Sequence, residues 1–257
     1  MKLSTWNVNS IQARKERILA FLERESPDVL CLQETKTPDE KFPAQAFQDK
    51  GYHSYFYGQK SYNGMAFLSK QPMTHIEKGP SPFDPAFGTR VLVGQWGPIK
   101  IVNLYAVNGK ELGSPQFANK EAWFQQLCTY LQQSDLTETP TLLCGDFNVA
   151  PTDLDVHEPR ERVKELLLSP EERAWFASIL ELGFVDCFRS LYPEERSFSW
   201  WDYRQLSFPR NKGLRIDFIL ANAALQKHIL SCRMDRDERR GDKPSDHIPV
   251  IAEFSLF

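Results

Sequence analysis

The chain runs to 257 residues with 41% apolar and 25% charged side chains, a composition that excludes a disordered or fibrous protein. Lysine and arginine total 31 against 34 acidic residues, so the net charge of -3 creates no overall field for nucleic acid or membrane, and a polyanion would need a local patch. Cys31, Cys128, Cys144, Cys187 and Cys232 are odd in number and lack a C-x-x-C pair, which speaks against a disulfide framework and a zinc site and for a reducing cytoplasm.

In chain order, Leu3–Val8 reads as a strand and Ile11–Arg24 as a helix that gathers Ile18, Phe21 and Leu22 on one side. Further strands are expected at Asp28–Leu32, His53–Tyr57, Met65–Leu68, Val91–Trp96 and Ile99–Val107. A second helix, Gln116–Leu131, aligns Trp123, Phe124, Leu127 and Leu131. Thr141–Phe147 is the next strand, and Ser169-Pro170 supplies the N-cap and first turn of a third helix over Glu171–Leu182. Phe198–Tyr203, Arg215–Leu220 and Ile248–Phe254 complete the strands. VLCL at 29 to 32 and TLLC at 141 to 144 are hydrophobic without alternation, so both faces must be covered. The expectation is an α+β fold with two stacked sheets flanked by helices. No repeat, linker or block of like charge divides the chain, so one domain over residues 1–257 is expected. The opening MKLSTWNVNSIQAR carries no apolar run of export-signal kind, and no stretch approaches a membrane span. With no heptad or long apolar helix face, a cytoplasmic monomer without membrane contact is the expectation.

Polar side chains recur where these apolar strands end: Asn7-Val-Asn9, Gln33-Glu34-Thr35, Asp146-Phe-Asn148, Asp217 within LRIDFIL, and Ser245-Asp246-His247. Each alone would be an ordinary turn cap. Together they can converge on one rim. Asn7, Glu34, Asp146, Asn148 and Asp246 offer carboxylate and amide oxygens without a thiolate, a donor set suited to Mg2+, with Mn2+ as substitute. A hard cation beside a His-Asp pair and aimed at phosphate is the arrangement expected for phosphodiester hydrolysis. His247 is the histidine singled out; His53, His75, His157 and His228 read as solvated.

WNVNSIQAR at 6 to 14, PDVLCLQETK at 27 to 36, NGMAFLSK at 63 to 70, NLYAVNG at 103 to 109, GDFNVAPTDLD at 145 to 155, FSWWDYR at 198 to 204, KGLRIDFIL at 212 to 220 and PSDHIPV at 244 to 250 follow one another along the chain. In these segments the chain resembles the exonuclease III family of apurinic/apyrimidinic (AP) endonucleases, within the endonuclease/exonuclease/phosphatase superfamily. The resemblance implies a four-layer α/β/β/α sandwich of two packed mixed sheets flanked by helices, DNase I-like, with the site at the sheet ends. It makes Glu34 the principal metal ligand, with Asn7 close beside it and Asp246 a further or water-mediated ligand. Asp146 would orient or deprotonate the attacking water, Asn148 would hold that water or the transition-state oxygens, and Tyr105 would contact the phosphate or assist the leaving group. His247, paired with Asp217, would bind a non-bridging phosphate oxygen. Asn9 stands where some relatives carry a metal-binding aspartate.

The same resemblance places Trp200, Leu214 and Ile216 along an apolar slot that fits a deoxyribose lacking its base, and extruding such a nucleotide sacrifices less stacking and pairing. Adjacent strand residues face opposite ways, so one of Trp200 and Trp201 is expected to be core. Arg204, Arg210, Lys212 and Arg215 outnumber Asp202 and Asp217 there, a modest basic excess for DNA. Lys36 and Arg14 could reach flanking phosphates, whereas the mixed-charge run Arg233–Lys243 reads as a solvated loop. The implied activity is Mg-dependent incision 5′ to abasic sites in double-stranded DNA, with 3′-to-5′ exonuclease and 3′-phosphatase activity on blocked 3′ ends. The alternatives are a phosphoesterase on a small or lipid-derived ester using the same metal site, and a non-catalytic DNA-binding module.

Overall fold

The computed structural model describes residues 1–136, 138–158 and 165–255. Its strands are β1 (Lys2–Asn7), β2 (Val29–Gln33), β3 (His53–Tyr57), β4 (Met65–Ser69), β5 (Thr74–Lys78), β6 (Val91–Trp96), β7 (Ile99–Tyr105), β8 (Thr141–Asp146), β9 (Phe184–Asp186), β10 (Asp217–Asn222), β11 (Ile229–Met234) and β12 (Val250–Phe254). They form two six-stranded sheets, ordered β11-β12-β1-β2-β4-β3 and β5-β6-β7-β8-β10-β9. Both are mixed: β1 runs parallel to β2, and β7 runs parallel to β8.

Alternation along each strand builds the layers. Leu3, Val29, Cys31, Met65 and Phe67 of one sheet meet Leu92, Ile101, Leu142, Cys144 and Ile219 of the other in a single buried cluster. The opposite face of the first sheet sends Trp6, Leu30, Leu32 and Ile251 against Ile18, Phe21 and Leu22 of helix α1 (Ile11–Glu25) and Phe47 of α2 (Ala44–Gln48). The second sheet's outer face packs Val93, Val102, Leu104 and Leu143 on Trp123, Phe124 and Leu127 of α3 (Pro115–Gln132) and on Phe176 and Ile179 of α4 (Pro170–Glu181). The order is helix, sheet, sheet, helix. β2 and β8 are buried at every position, as their unbroken apolar runs require. Short helices α5 (Cys187–Leu191) and α6 (Ala223–Gln226) add Phe188 and Leu225 to the inter-sheet core.

One polar staple interrupts that core. Gln33 Nε2 donates to Thr5 Oγ1 at 2.8 Å and, across the sheets, to Asn103 Oδ1 at 2.7 Å. Asn103 Nδ2 in turn donates to the carbonyls of Leu32 and Ala66. These buried hydrogen bonds across the gap fix how the two sheets register against each other.

Several expectations need correction. Phe198–Tyr203 is a loop held by isolated bridges from Trp200 to Leu214 and His247; its backbone bonds are divided between Leu214 on one side and Asp246 and Ile248 on the other, so no continuous ladder forms. The strand expected from Arg215 begins at Asp217, and the last one begins at Val250, after Pro249. β5, β9 and β11 were not expected, and all three are sheet edges. Arg233–Lys243 is only partly solvated: it starts in β11, turns through a 3-10 segment at Arg236–Arg239, and buries Glu238 and Arg239. Arg17 and Arg24 pair with Glu238, which pins this segment to α1. No helix among the described residues is long and apolar enough to cross a membrane.

Candidate active site

The site lies where the C-terminal ends of two parallel strand pairs meet, the usual place for a crevice in such sheets. β1 delivers Asn7 and β2 leads straight into Glu34; in the other sheet, β7 ends at Tyr105 and β8 at Asp146. Register does the alignment: Tyr105 stands beside Asp146, and Asp146 stands opposite Asp217, the first residue of β10. Gly145 lets β8 approach β7 closely just before the aspartate. At its φ of 139° an added Cβ would lie 1.9 Å from the Leu104 carbonyl oxygen, so only glycine fits. Glu34 and Asn148 both take left-handed backbone, at φ 53° and 51°, which turns each side chain across the rim instead of along its strand.

Asp146 is the hub. Its Oδ2 accepts from Asn7 Nδ2 at 3.0 Å and lies 3.7 Å from His247 Nε2, while Oδ1 accepts from the Asn148 amide at 2.9 Å. Asn7 Nδ2 also donates to Glu34 Oε1 at 2.8 Å. The other His247 nitrogen lies 2.8 Å from Asp217 Oδ2, and that same oxygen accepts from Ser199 Oγ at 2.6 Å. Asp217 Oδ1 is buried with no hydrogen-bond partner among the described residues. Glu34, Asp146 and His247 thus offer ligand atoms lying within 4.8 Å of one another.

Burial pushes the Asp146 carboxyl up, with the charge of Asp217 adding to the shift and His247, Asn7 and Asn148 opposing it. Burial alone would discharge the His247 imidazole, but Asp217 and Asp146 outweigh it and hold the ring's pKa above its ordinary value. The Tyr105 hydroxyl is raised by burial and by the negative charges of Glu34 and Asp146, with Arg90 stacked 4.6 Å from its ring. Asp246 goes the other way: against the pull of burial, His247, Asn9 and Trp200 keep its carboxyl below the usual range.

A hard divalent cation fits this donor set. Glu34 and Asp146 bring carboxylate oxygens to one spot, where Lys36 lies 2.9 Å from Glu34 Oε2 and His247 Nε2 3.7 Å from Asp146 Oδ2. The other two expected ligands stand differently. Asn7 turns its amide nitrogen to the carboxylates, and its oxygen accepts from the Asn9 amide at 3.1 Å, so it braces the carboxylates. Asp246 lies outside the cluster, with its oxygens accepting from Asn9 Nδ2 and Trp200 Nε1, each at 3.0 Å.

Around the rim, Asn148 is held from both sides, donating to the Ala106 carbonyl and accepting from Asn108 Nδ2. Trp201 is fully buried and Trp200 half-buried. Leu214 and Ile216 are each only 2% exposed, so they back the wall in a small core with Val156 and Leu168, and Trp200 alone of the three presents much surface. Arg204 is open to solvent, whereas Arg215 is buried between Asp155 and Asp186 and drops out of the basic excess expected here. Lys36 is engaged with Glu34 and Asn9, and Arg14 with Asn9, Tyr203 and Pro244, so both shape the rim. His157, expected to be solvated, is half-buried against the Gly213 carbonyl. Ser199 and Asn108 were missed: both sit inside quoted motifs, but only the folded chain shows which side chain each one holds.

The family model described as Endonuclease/Exonuclease/phosphatase family matches residues 4–247. The chain is 35% identical to the exodeoxyribonuclease III of Haemophilus influenzae, covering 99% of this chain and 100% of the relative. It is 34% identical to an exodeoxyribonuclease of Bacillus subtilis, covering 97% and 98%. Among solved structures, a 3′ phosphatase from Neisseria bound to a product DNA hairpin superposes with a TM-score of 0.96 at 39% identity, covering 100% of both chains. An AP endonuclease from Archaeoglobus fulgidus does so with 0.94 at 35%, again over 100% of both. Strand ends that converge on Asp146, and likeness over the full length of these relatives, lead to one conclusion: the chain belongs to the endonuclease/exonuclease/phosphatase family, on its exodeoxyribonuclease III and AP endonuclease branch.

Proposed function

We propose that this site hydrolyses the DNA phosphodiester 5′ to an abasic nucleotide and also trims or dephosphorylates 3′ ends, with Mg2+ as its ion and Mn2+ as a workable substitute. The chain is a hydrolase and a DNA repair nuclease of this branch; the bond, the ion and the division of labour are what we propose. The observation that carries the reading is the meeting of Glu34, Asp146 and His247 within 4.8 Å, with Asp217 behind the imidazole.

Glu34 would be the principal ligand of the ion. When bound, magnesium supplies positive charge that polarises the phosphoryl group. Asp146 orients the attacking water and takes its proton, a role suited to a carboxylate whose basicity burial has raised. Asn148 faces that water or the transition-state oxygens from a carboxamide already held by Ala106 and Asn108. His247, kept cationic by Asp217, binds a non-bridging oxygen, where negative charge grows as the phosphorane forms. Tyr105 contacts the phosphate or assists the leaving oxygen. Trp200, backed by Leu214 and Ile216, forms a wall against which a bare deoxyribose packs, while a sugar bearing its base would clash. Arg204 stands at the outer edge for a flanking phosphate. All five cysteines are free, which suits the cytoplasm as the place of action of a monomer.

The test is product analysis on duplexes carrying one tetrahydrofuran abasic analogue, a nick or a 3′-phosphate, with and without chelator. Incision 5′ to the analogue and release of 3′-phosphate, both lost with chelator and restored by magnesium, are expected. No incision, combined with turnover of a soluble phosphate ester, would overturn the DNA reading.

A further inference from the structure

The chemistry above makes no use of a buried ion pair that reaches the turn after β8. Lys120, on the inner face of α3, and Glu172, in the first turn of α4, are each wholly buried and joined by a direct contact. The remaining Glu172 oxygen accepts from the Ser169 amide at 3.1 Å and from Ser169 Oγ at 2.9 Å, completing the capping box that starts α4. The ammonium has a second partner outside both helices: it donates to the backbone carbonyl of Asn148 at 2.6 Å. A single nitrogen therefore ties α3, α4 and the turn after β8 together.

We propose that Lys120 is a positioning residue for the nuclease site, its ammonium fixing the Asp146–Asn148 turn through the Asn148 carbonyl, with Glu172 as the counter-charge that makes a buried ammonium tenable. The inference rests on the nuclease reading for its catalytic consequence. A buried ion pair is weak as a stability device, because an apolar pair of similar volume usually serves as well or better. The ammonium does what no apolar side chain can, which is to hold a carbonyl at one place. Asn148 needs that hold because its amide must keep its bond to Asp146 Oδ1 while its carboxamide stays between Ala106 and Asn108.

The experiment compares wild type with Lys120→Met, Lys120→Arg and the double variant Lys120→Met/Glu172→Gln, in which glutamine keeps the capping box without the charge. Steady-state incision of an abasic duplex in magnesium, melting temperature and hydrogen exchange at the Asn148 amide are measured on each. Lys120→Met should melt lower because Glu172 is left unpaired, and the double variant should recover most of that loss. In both, kcat should fall roughly 10- to 100-fold with KM little changed, since a small misplacement of catalytic groups costs that much. Lys120→Arg should restore part of kcat. The Asn148 amide should exchange faster in both methionine variants, a readout that holds even if the wild type fails to cleave DNA, which would count against the nuclease reading alone. Wild-type kcat in the double variant, or unchanged Asn148 exchange in both, overturns the proposal.

Discussion

Two charge clusters sit two residues apart on the approach to β10, and they are built to opposite rules. At Arg215 the cluster is closed: its guanidinium donates to Asp155 and Asp186 at 2.6 Å each, Arg189 pairs with Asp155 at 2.8 Å, and Phe218 and Phe188 cover the face. Two arginines meet two aspartates. At Asp217 the cluster is open: Glu34, Asp146, Asp217 and Asp246 face Lys36 and His247, one Asp217 oxygen lacks a partner among the described residues, and the rim is reachable from solvent. The closed cluster ties β9, β10 and the 3-10 turn Asp153–Asp155 into one scaffold. The open one keeps negative charge in excess, which a substrate phosphate and its ion can complete. Burial is common to both; charge balance separates scaffold from chemistry.

The sharpest way to break this contrast is Asp146→Asn. The amide is isosteric, keeps an oxygen for Asn7 or the Asn148 amide, and removes one of the carboxylate charges beside His247, leaving Asp217 in place. A fall in kcat of roughly 10²- to 10⁴-fold is expected, with DNA binding retained when measured by gel shift or anisotropy. A variant that turns over normally would place the base elsewhere and remove Asp146 from the centre of the open cluster.

How much of this could be read in the residues differs between the two clusters for a physical reason. The catalytic side chains stand at the ends of buried strands, so Asn7, Glu34, Asp146 and Asp217 together, though none singly, point to a shared rim. Two central strands are legible because burial of β2 and β8 on both faces leaves a run with no alternation, and the three long helices because their apolar residues recur on one side. Arg215 looked like part of a basic surface because its neutralising partners, Asp155 and Asp186, come from segments far away in the chain. Lys120 and Glu172 were hidden likewise, within helices that read as ordinary amphipathic elements. Edge strands β5, β9 and β11 escaped because one free edge relaxes the demand for hydrophobicity. The loop at Phe198–Tyr203 has strand composition, but its Ser199 hydroxyl and Trp200 indole serve Asp217 and Asp246.

Trp200 joins wall and network, so substitutions can divide its two roles. Trp200→Ala should reduce incision at an abasic analogue about 10-fold more than it reduces release of a 3′-phosphate, the order of one lost apolar contact to the sugar. Trp200→Phe keeps an aromatic face but loses the bond to Asp246 Oδ2. It should retain the preference for the abasic duplex while both activities fall slightly and together. Equal losses for the two substrates in the alanine variant would make Trp200 structural and leave abasic selectivity to another part of the rim.

The smallest effect on turnover is expected at the closed cluster, and it is visible in stability against pH. Burial opposes ionisation of Asp155, but Arg215, Thr152 and Arg189 outweigh it and hold its carboxyl below the usual value. A depressed folded-state pKa contributes stability that is fully present above the unfolded value, about 3.9 for aspartate, and is lost as pH falls through the folded one. Asp155→Asn should therefore unfold at lower denaturant than wild type near pH 7, with the gap constant down to about pH 5 and closing as acid protonates the native carboxylate. Its kcat on the folded protein at pH 7 should match wild type, because the side chain touches Arg215, Arg189 and Thr152 and none of the groups around Asp146. A stability gap independent of pH would mean that shape alone, and not charge, makes Asp155 fit. A large fall in kcat would erase the boundary between the two clusters and make the arginine network part of the catalytic apparatus.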